Sequence, residues 1–343
     1  MKKWFGLALA AVMVLSLAGC SSTEKESSVS ETEEDKIQIG MSFDSFVIER
    51  WQRDRDVFVS VAKERGAEVN VQNANGDVDT QKEQIDYFID KKMDVIVIIS
   101  IDGAALSDSV ARAKSAGIKV ISYDRLIDDA DVDLYISFDN EKVGTLMGEA
   151  LADVLPEGGK VLMLGGSPTD NNVKMVEAGF RRVMNENDIA ILDSTHAEKW
   201  KAELAANYVY GHVDTVREAD AIMCGNDDLA TQVVRALNET RLSGKPVVGQ
   251  DADLAACQRI VEGTQLMTVY KPFEKLATRA AQEAVALALD EPVGEDATTI
   301  ENVDYTVPYI GLEPVAVTKD NMDEVIIDSG FHLKEDVYLN VQG

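Results

Sequence analysis

Cysteine is nearly missing. Cys20, Cys224 and Cys257 are the only three in 343 residues, too few for a disulfide framework. The last two sit in apolar surroundings and read as small buried hydrophobes. Histidine is as scarce: His196, His212 and His332 lie far apart, with no metal-ligand spacing. Positive charge is short too. Lys and Arg number 33 against 61 Asp and Glu, a net charge of −28, which disfavours nucleic acid and anionic ligands. Gly165-Gly166-Ser167-Pro168 lacks the spacing of a dinucleotide or phosphate loop. Asn73, Asn75, Asp77 and Asp79 lack the glycine and terminal glutamate of a calcium loop. No nucleophile elbow or Ser/His pair occurs. The expectation is a protein with no cofactor, no metal and no catalytic set.

Beyond the first twenty residues there is no long apolar run. Those twenty read as an address. Lys2 and Lys3 precede an apolar stretch from Trp4 to Leu17, and Leu17-Ala18-Gly19-Cys20 follows. The stretch is too short for a span and fits a cleaved export signal. The cysteine at the cleavage point resembles a bacterial lipobox, which implies lipidation of Cys20 and anchoring at the outer face of a membrane. Residues 21–36, SSTEKESSVSETEEDK, have no apolar periodicity and read as a disordered tether. Residues 37–343 suffice for two domains.

The stretch VISYDRLIDDADVDLYISFDN (120–140) shows the plan of the folded part. Two short apolar runs end abruptly, one at Asp124-Arg125 and the other at Asp139-Asn140. In an open parallel sheet such strand-end groups face the ligand crevice, and an adjacent carboxylate and guanidinium supply acceptors and forked donors together. Around this stretch, β-rich runs alternate with helical ones. VIVIIS (95–100) has the unbroken apolarity of a strand buried on both faces. Glu141 to Val154 keeps one apolar helical face. After Pro156-Glu157-Gly158-Gly159 the alternation restarts, with strands expected at 161–164, 189–192, 221–224, 247–249 and 266–270, and a helix over Trp200–Arg217. This order argues for parallel sheets flanked by helices.

The two halves repeat their strand-end groups. Ser100-Ile101-Asp102-Gly103 is matched by Cys224-Gly225-Asn226-Asp227, Tyr123-Asp124-Arg125 by Gln250-Asp251-Ala252, and Phe138-Asp139-Asn140 by Tyr270-Lys271-Pro272. Two similar α/β units facing each other across a cleft would present all of these to one ligand.

The segments IERWQRDRDVF, IKVISYDRLI, DADVDLYISFDNEKVG, GGSPTDNN, GQDADLAACQRI and GTQLMTVYKP resemble those of the sugar-binding periplasmic binding proteins of ABC importers, over most of residues 37–272. The resemblance implies an α/β fold of periplasmic binding protein type I, with two Rossmann-like lobes joined by a three-strand hinge. It implies an N-terminal lobe of 37–140 plus 272–303 and a C-terminal lobe of 141–271 plus 304–343, with the first crossover after Asp139-Asn140. The ligand implied is a monosaccharide, D-xylose or a related aldose. The implied partners are an ABC permease and its ATPase, with the protein a monomer and no nucleic acid bound. One departure stands at His196, where the resemblance leads one to expect a tryptophan at the cleft rim.

A pyranose needs carboxylate acceptors, Arg or Lys donors, amides and flat aromatics for its C–H faces. Carried over position by position, the implied sugar-binding residues are Arg50, Trp51, Asp124, Arg125, Asp170, Asn172, Trp200, Asn226, Asp251 and Lys271, with Trp51 and Trp200 sandwiching the ring. Structural roles compete for most of them. Trp51 fits a helix core stripe, and Arg50 lies in a charged run. Asp124, Arg125 and Lys271 suit interdomain ion pairs, Asn226 a helix N-cap and Asp251 a turn. At the level of function, delivery to a permease stands beside sugar sensing through a membrane receptor. A glycosidase reading requires a carboxylate pair drawn from Asp124, Asp170 and Asp251.

Overall fold

The computed structural model describes residues 36–48 and 50–341. The export signal, Cys20 and the tether up to residue 35 lie outside the described residues. Five strands and three helices open the fold: β1 (Ile37–Phe43), α1 (Arg50–Glu64), β2 (Ala67–Asn73), α2 (Val78–Asp90), β3 (Val95–Ile98), α3 (Ser107–Ser115), β4 (Lys119–Tyr123) and β5 (Leu134–Phe138). There follow α4 (Asn140–Val154), β6 (Gly159–Gly165), α5 (Asn171–Glu186), β7 (Ile189–His196), α6 (Glu203–Gly211), α7 (Val213–Glu218), β8 (Ala221–Cys224), α8 (Asp227–Glu239), β9 (Val247–Gln250), α9 (Leu254–Glu262) and β10 (Met267–Tyr270). The chain closes with α10 (Phe273–Ala288), β11 (Thr298–Asn302), β12 (Tyr305–Leu312), β13 (Val315–Val317) and α11 (Lys334–Val337).

Two sheets result, ordered β11-β12-β5-β4-β3-β1-β2 and β13-β10-β9-β8-β6-β7. All pairings are parallel except β11 with β12 and β10 with β13. Strand alternation places successive side chains on opposite faces, and the apolar runs use both. In β3, Val95 and Val97 join the core formed with Phe58 of α1 and Leu276 of α10. Ile96 and Ile98 join Phe88 of α2 and Val110 of α3. The second sheet is covered alike, Leu162 and Leu164 by α6 and α8, Val161 and Met163 by α4 and α5. Helices on both faces are the reason the strands read as continuous apolar runs.

The chain passes between the sheets at β5–α4, β10–α10 and β12–β13. The first and third crossings touch, since Asp139 N–H donates to Leu312 O (3.0 Å). Asp139 also caps α4 by accepting from Lys142 N (2.8 Å). The expected return to the second lobe at residue 304 is displaced. β12 pairs in parallel with β5 from Tyr309 opposite Tyr135 to Leu312 opposite Phe138, and Val307 is buried in the first sheet's core. Residues 304–312 therefore stay with the first sheet, and the crossing falls at 313–314.

The single helix expected over Trp200–Arg217 is broken into a 3-10 turn (Glu198–Trp200), α6 and α7. Left-handed backbone at Lys199 (φ 55°) and Trp200 (φ 57°) stops helical propagation. Cys224 and Cys257 are free and buried, and burial pushes both thiols up. Among the described residues no helix is long and apolar enough to cross a membrane.

Helices α4 and α5 approach so closely that glycine is required between them. A Cβ on Gly144 would stand 1.8 Å from Val176 O, and one on Gly179 would stand 2.0 Å from Glu141 O. Neither backbone oxygen can swing aside. Gly144→Ala is expected to lose about 1–3 kcal/mol of stability through overpacking, measured by urea unfolding. An unchanged midpoint would contradict this packing.

Candidate ligand site

The strand ends of both sheets meet around one narrow cavity of about 30 Å³. Arg50 and Trp51 come from the first turn of α1, Asp124 and Arg125 from the end of β4, and Asp170 and Asn172 from the start of α5. Trp200 follows β7, Asp251 follows β9 and Lys271 follows β10. All nine line the cavity, and all are at most 8% exposed. Asn226, the tenth residue of the set, does not line it. Its side chain caps α8, accepting from Leu229 N (2.9 Å), and its neighbour Gly225 forms the wall instead.

The internal repeat holds at the backbone. Asp124 (φ 64°) and Asp251 (φ 95°) both occupy left-handed conformations. Asp124 N–H donates to Ile136 O (2.7 Å) and Asp251 N–H to Val269 O (2.8 Å), each on the next strand of its sheet. Non-glycine residues held in that region mark places where surrounding structure imposes strain, commonly at functional sites. Here it aims one carboxylate from each sheet into the same space.

The charged groups form a continuous lattice. Arg50 Nη2 donates to Asp124 Oδ2 at 2.6 Å and more loosely to Asp54 Oδ1 at 3.4 Å, while Nε reaches Asp54 Oδ2 at 3.3 Å. Nη1 lies 4.0 Å from Asp251 Oδ1, which also meets Lys271 Nζ at 2.8 Å. Arg125 Nη1 donates to Asp44 Oδ2 (2.7 Å) and Ser100 O (3.0 Å), while Nε meets Asp170 Oδ2 (2.7 Å). Across the cleft, Asn172 Nδ2 donates to both Asp124 O and Asp124 Oδ1 at 3.0 Å. Of the interdomain ion pairs anticipated for Asp124, Arg125 and Lys271, the Arg125–Asp170 pair is present; Asp124 crosses the cleft through the Asn172 amide, and Lys271 pairs with Asp251 of its own half.

The indoles are held by different means. Trp200 Nε1 donates to Asp170 Oδ2 (3.2 Å). Its ring lies against Gly166, where a Cβ would come within 2.1 Å of Cη2, so only glycine fits there. The Arg50 and Arg125 guanidinium carbons stand 4.4 and 5.5 Å from the Trp51 ring centroid, a cation–π arrangement. Trp51 Nε1 is buried without a protein partner.

The sequence also left out residues of this wall. Gln250 and Asn140 line it beside residues that were singled out. Val173, Val176 and Glu177 extend the wall along one face of α5; their helical spacing was visible but reads equally as core. His196, the departure from the family pattern, stands behind Glu177, with Nε2 2.8 Å from Oε1.

Two α/β halves with a buried polar cavity between their strand ends define a two-lobed ligand-binding protein. A family model described as "Periplasmic binding protein domain" matches residues 39–292. The chain is 45% identical over 308 residues to the D-xylose-binding periplasmic protein of Haemophilus influenzae, covering 88% of this chain and 92% of that one. It is 44% identical to the D-xylose-binding periplasmic protein of Escherichia coli, covering 88% and 93%. A crystal structure of an ABC transporter solute-binding protein from Clostridium phytofermentans, with bound β-D-glucose, superimposes with a TM-score of 0.81 at 30% identity, covering 88% and 99%. The chain belongs to the periplasmic binding protein family. It is a solute-binding protein, not an enzyme.

The lattice makes carboxyls behave differently. Burial pushes Asp54 up to about 6 against the pull of Arg50 and the Tyr123 hydroxyl. Burial acts on Asp124 too, but Arg50, Lys271 and Arg125 together hold it below its ordinary value. The short Arg50 contact goes to Asp124 and the long ones to Asp54, so the two shifts differ in sign. From the ordinary value of 3.8 to about 6, the folded state holds the Asp54 proton more tightly than the unfolded chain. The Asp54 contribution to stability therefore grows as pH falls through that window and is lost as pH rises, while that of Asp124 is lost on acidification. Carboxyl NMR should show an aspartate titrating near pH 6 that disappears in Asp54→Asn, distinct from Asp227, which burial raises to about 7; persistence of the pH 6 resonance in that variant would refute this.

Proposed function

We propose that this protein captures a monosaccharide, D-xylose before other aldoses, and delivers it to an ABC permease. The observation that carries the reading is the composition of the cavity: nine buried side chains that pair carboxylates, guanidinium and ammonium groups, an amide and two indoles on facing strand ends. That donor and acceptor set suits a ring of hydroxyls, each of which both donates and accepts. Its three carboxylates offset its three cations, so the set offers no net positive charge to an anionic ligand. The relatives named for D-xylose and the glucose-bound structural neighbour support the same ligand class.

The mechanism is closure of two lobes about the three crossings. Contacts such as Arg125–Asp170 and Asn172–Asp124 join opposite sides of the cleft, so a sugar touching both sides favours the closed state by its differential affinity. A wrong epimer leaves buried hydrogen-bonding groups unpaired and is rejected on that account. The export signal and Cys20 support attachment of the mature protein to the outer face of a membrane through lipid.

Calorimetry with pentoses and hexoses is expected to show saturable D-xylose binding, weakened at least tenfold, ~1.4 kcal/mol, in Trp200→Ala. Absence of binding to every aldose tested would overturn the reading. For the anchor, Cys20→Ser should abolish incorporation of radiolabelled palmitate in the producing bacterium; undiminished labelling would exclude lipid on Cys20.

A further inference from the structure

Four buried side-chain polar atoms among the described residues have no hydrogen-bond partner: Trp51 Nε1, Gln250 Oε1, Asp251 Oδ1 and Asp323 Oδ1. Buried polar atoms are almost always partnered, so each exception asks for a reason. The first three belong to residues of the cavity wall. Asp251 Oδ1 has the Lys271 ammonium 2.8 Å away as an ion contact, although that contact is not aligned as a hydrogen bond. Gln250 Oε1 has neither a donor nor a cation.

The orientation of the Gln250 amide is fixed by its surroundings. Nε2 donates to Gly225 O at 2.5 Å. Turning the amide over would set its carbonyl oxygen against that backbone carbonyl, two acceptors with no proton between them. Nε2 is therefore committed to the wall, and Oε1 remains as an acceptor alone. The residue is 5% exposed, in a strand held on both sides. Val269 of β10 lies opposite it, and the next residue, Asp251, projects into the cavity from a left-handed turn. A glutamine so placed has little freedom to seek a partner elsewhere in the protein.

We propose that Gln250 is a specificity-determining residue of the site, its Oε1 accepting a hydrogen bond from one hydroxyl of the bound sugar. The proposal rests on the monosaccharide reading of the cavity and deepens it. An acceptor-only carbonyl recognises a hydroxyl as a donor, as the wall's carboxylates do, but without a charge. A sugar lacking that hydroxyl leaves Oε1 buried and unpaired, and discrimination against such an analogue is stronger than apolar contact can provide. Trp51 Nε1 is a donor-only group on the same wall and is also without a hydrogen-bond partner.

The test is calorimetry of wild type and Gln250→Met with D-xylose and its monodeoxy analogues. The variant should bind D-xylose at least tenfold more weakly, and that penalty should vanish for one deoxy sugar, the one lacking the partnered hydroxyl. Equal D-xylose affinity in the two proteins, or the same penalty for every analogue, overturns the proposal and leaves the sugar reading intact. Failure of wild type to bind any aldose overturns both. Should the variant not fold, a crystal structure of the wild-type D-xylose complex decides: a sugar oxygen about 3 Å from Oε1 supports the contact, and none within hydrogen-bond reach refutes it.

Discussion

The contact of Arg50 with Asp124 is the point from which the rest of the site is ordered. Both groups are almost fully buried, so neither is stable there without the other. Through Asp54 the guanidinium is tied to Tyr123, and through Asp124 to Asn172 across the cleft. The same burial that makes the charges costly in isolation strengthens each pairing. Asp44, Asp54, Asp124, Asp170 and Asp251 face Arg50, Arg125 and Lys271, a local excess of carboxyls over cations. Burial raises three of these carboxyls, Asp44, Asp54 and Asp170, above their ordinary value. The lattice positions groups for recognition; it is weak ground for stability, since pairs of this kind offset their desolvation at best. Stability comes from the doubly covered sheets.

Recognition and movement draw on the same contacts. A carboxylate from each sheet is aimed inward by left-handed backbone, and the cations that neutralise them lie on the same wall. The crossings at β5–α4 and β12–β13 are joined by the Asp139–Leu312 hydrogen bond. On the proposed reading, ligand hydroxyls that join the lattice act on both lobes at once, because the lattice itself crosses the cleft.

Much of this was legible in the sequence because the physics is local. A fully apolar VIVI run requires cover on both faces, and Asp124-Arg125 after an apolar strand leaves the pair at a crevice. The repeat of strand-end groups was visible by eye, and the matching backbone of Asp124 and Asp251 shows it extends to conformation. What was not legible depended on partners distant in the chain. β12 looks like a strand that belongs to either sheet until its pairing with β5 is known. Asn226 lies in the matched series, yet the start of α8 takes its side chain as a cap. Gln250 was read as a strand end beside the more conspicuous Asp251, and only the Gly225 carbonyl, from another strand's end, shows which way its amide must face. The break after Trp200 depends on two left-handed residues that no propensity foretells.

The central claim is that one sugar closes two lobes. Small-angle X-ray scattering with and without saturating D-xylose tests it most directly. Closure predicts a smaller radius of gyration with the sugar, and a scattering curve that then matches this structure. Identical curves in the two conditions, at concentrations where calorimetry shows the site filled, would contradict it.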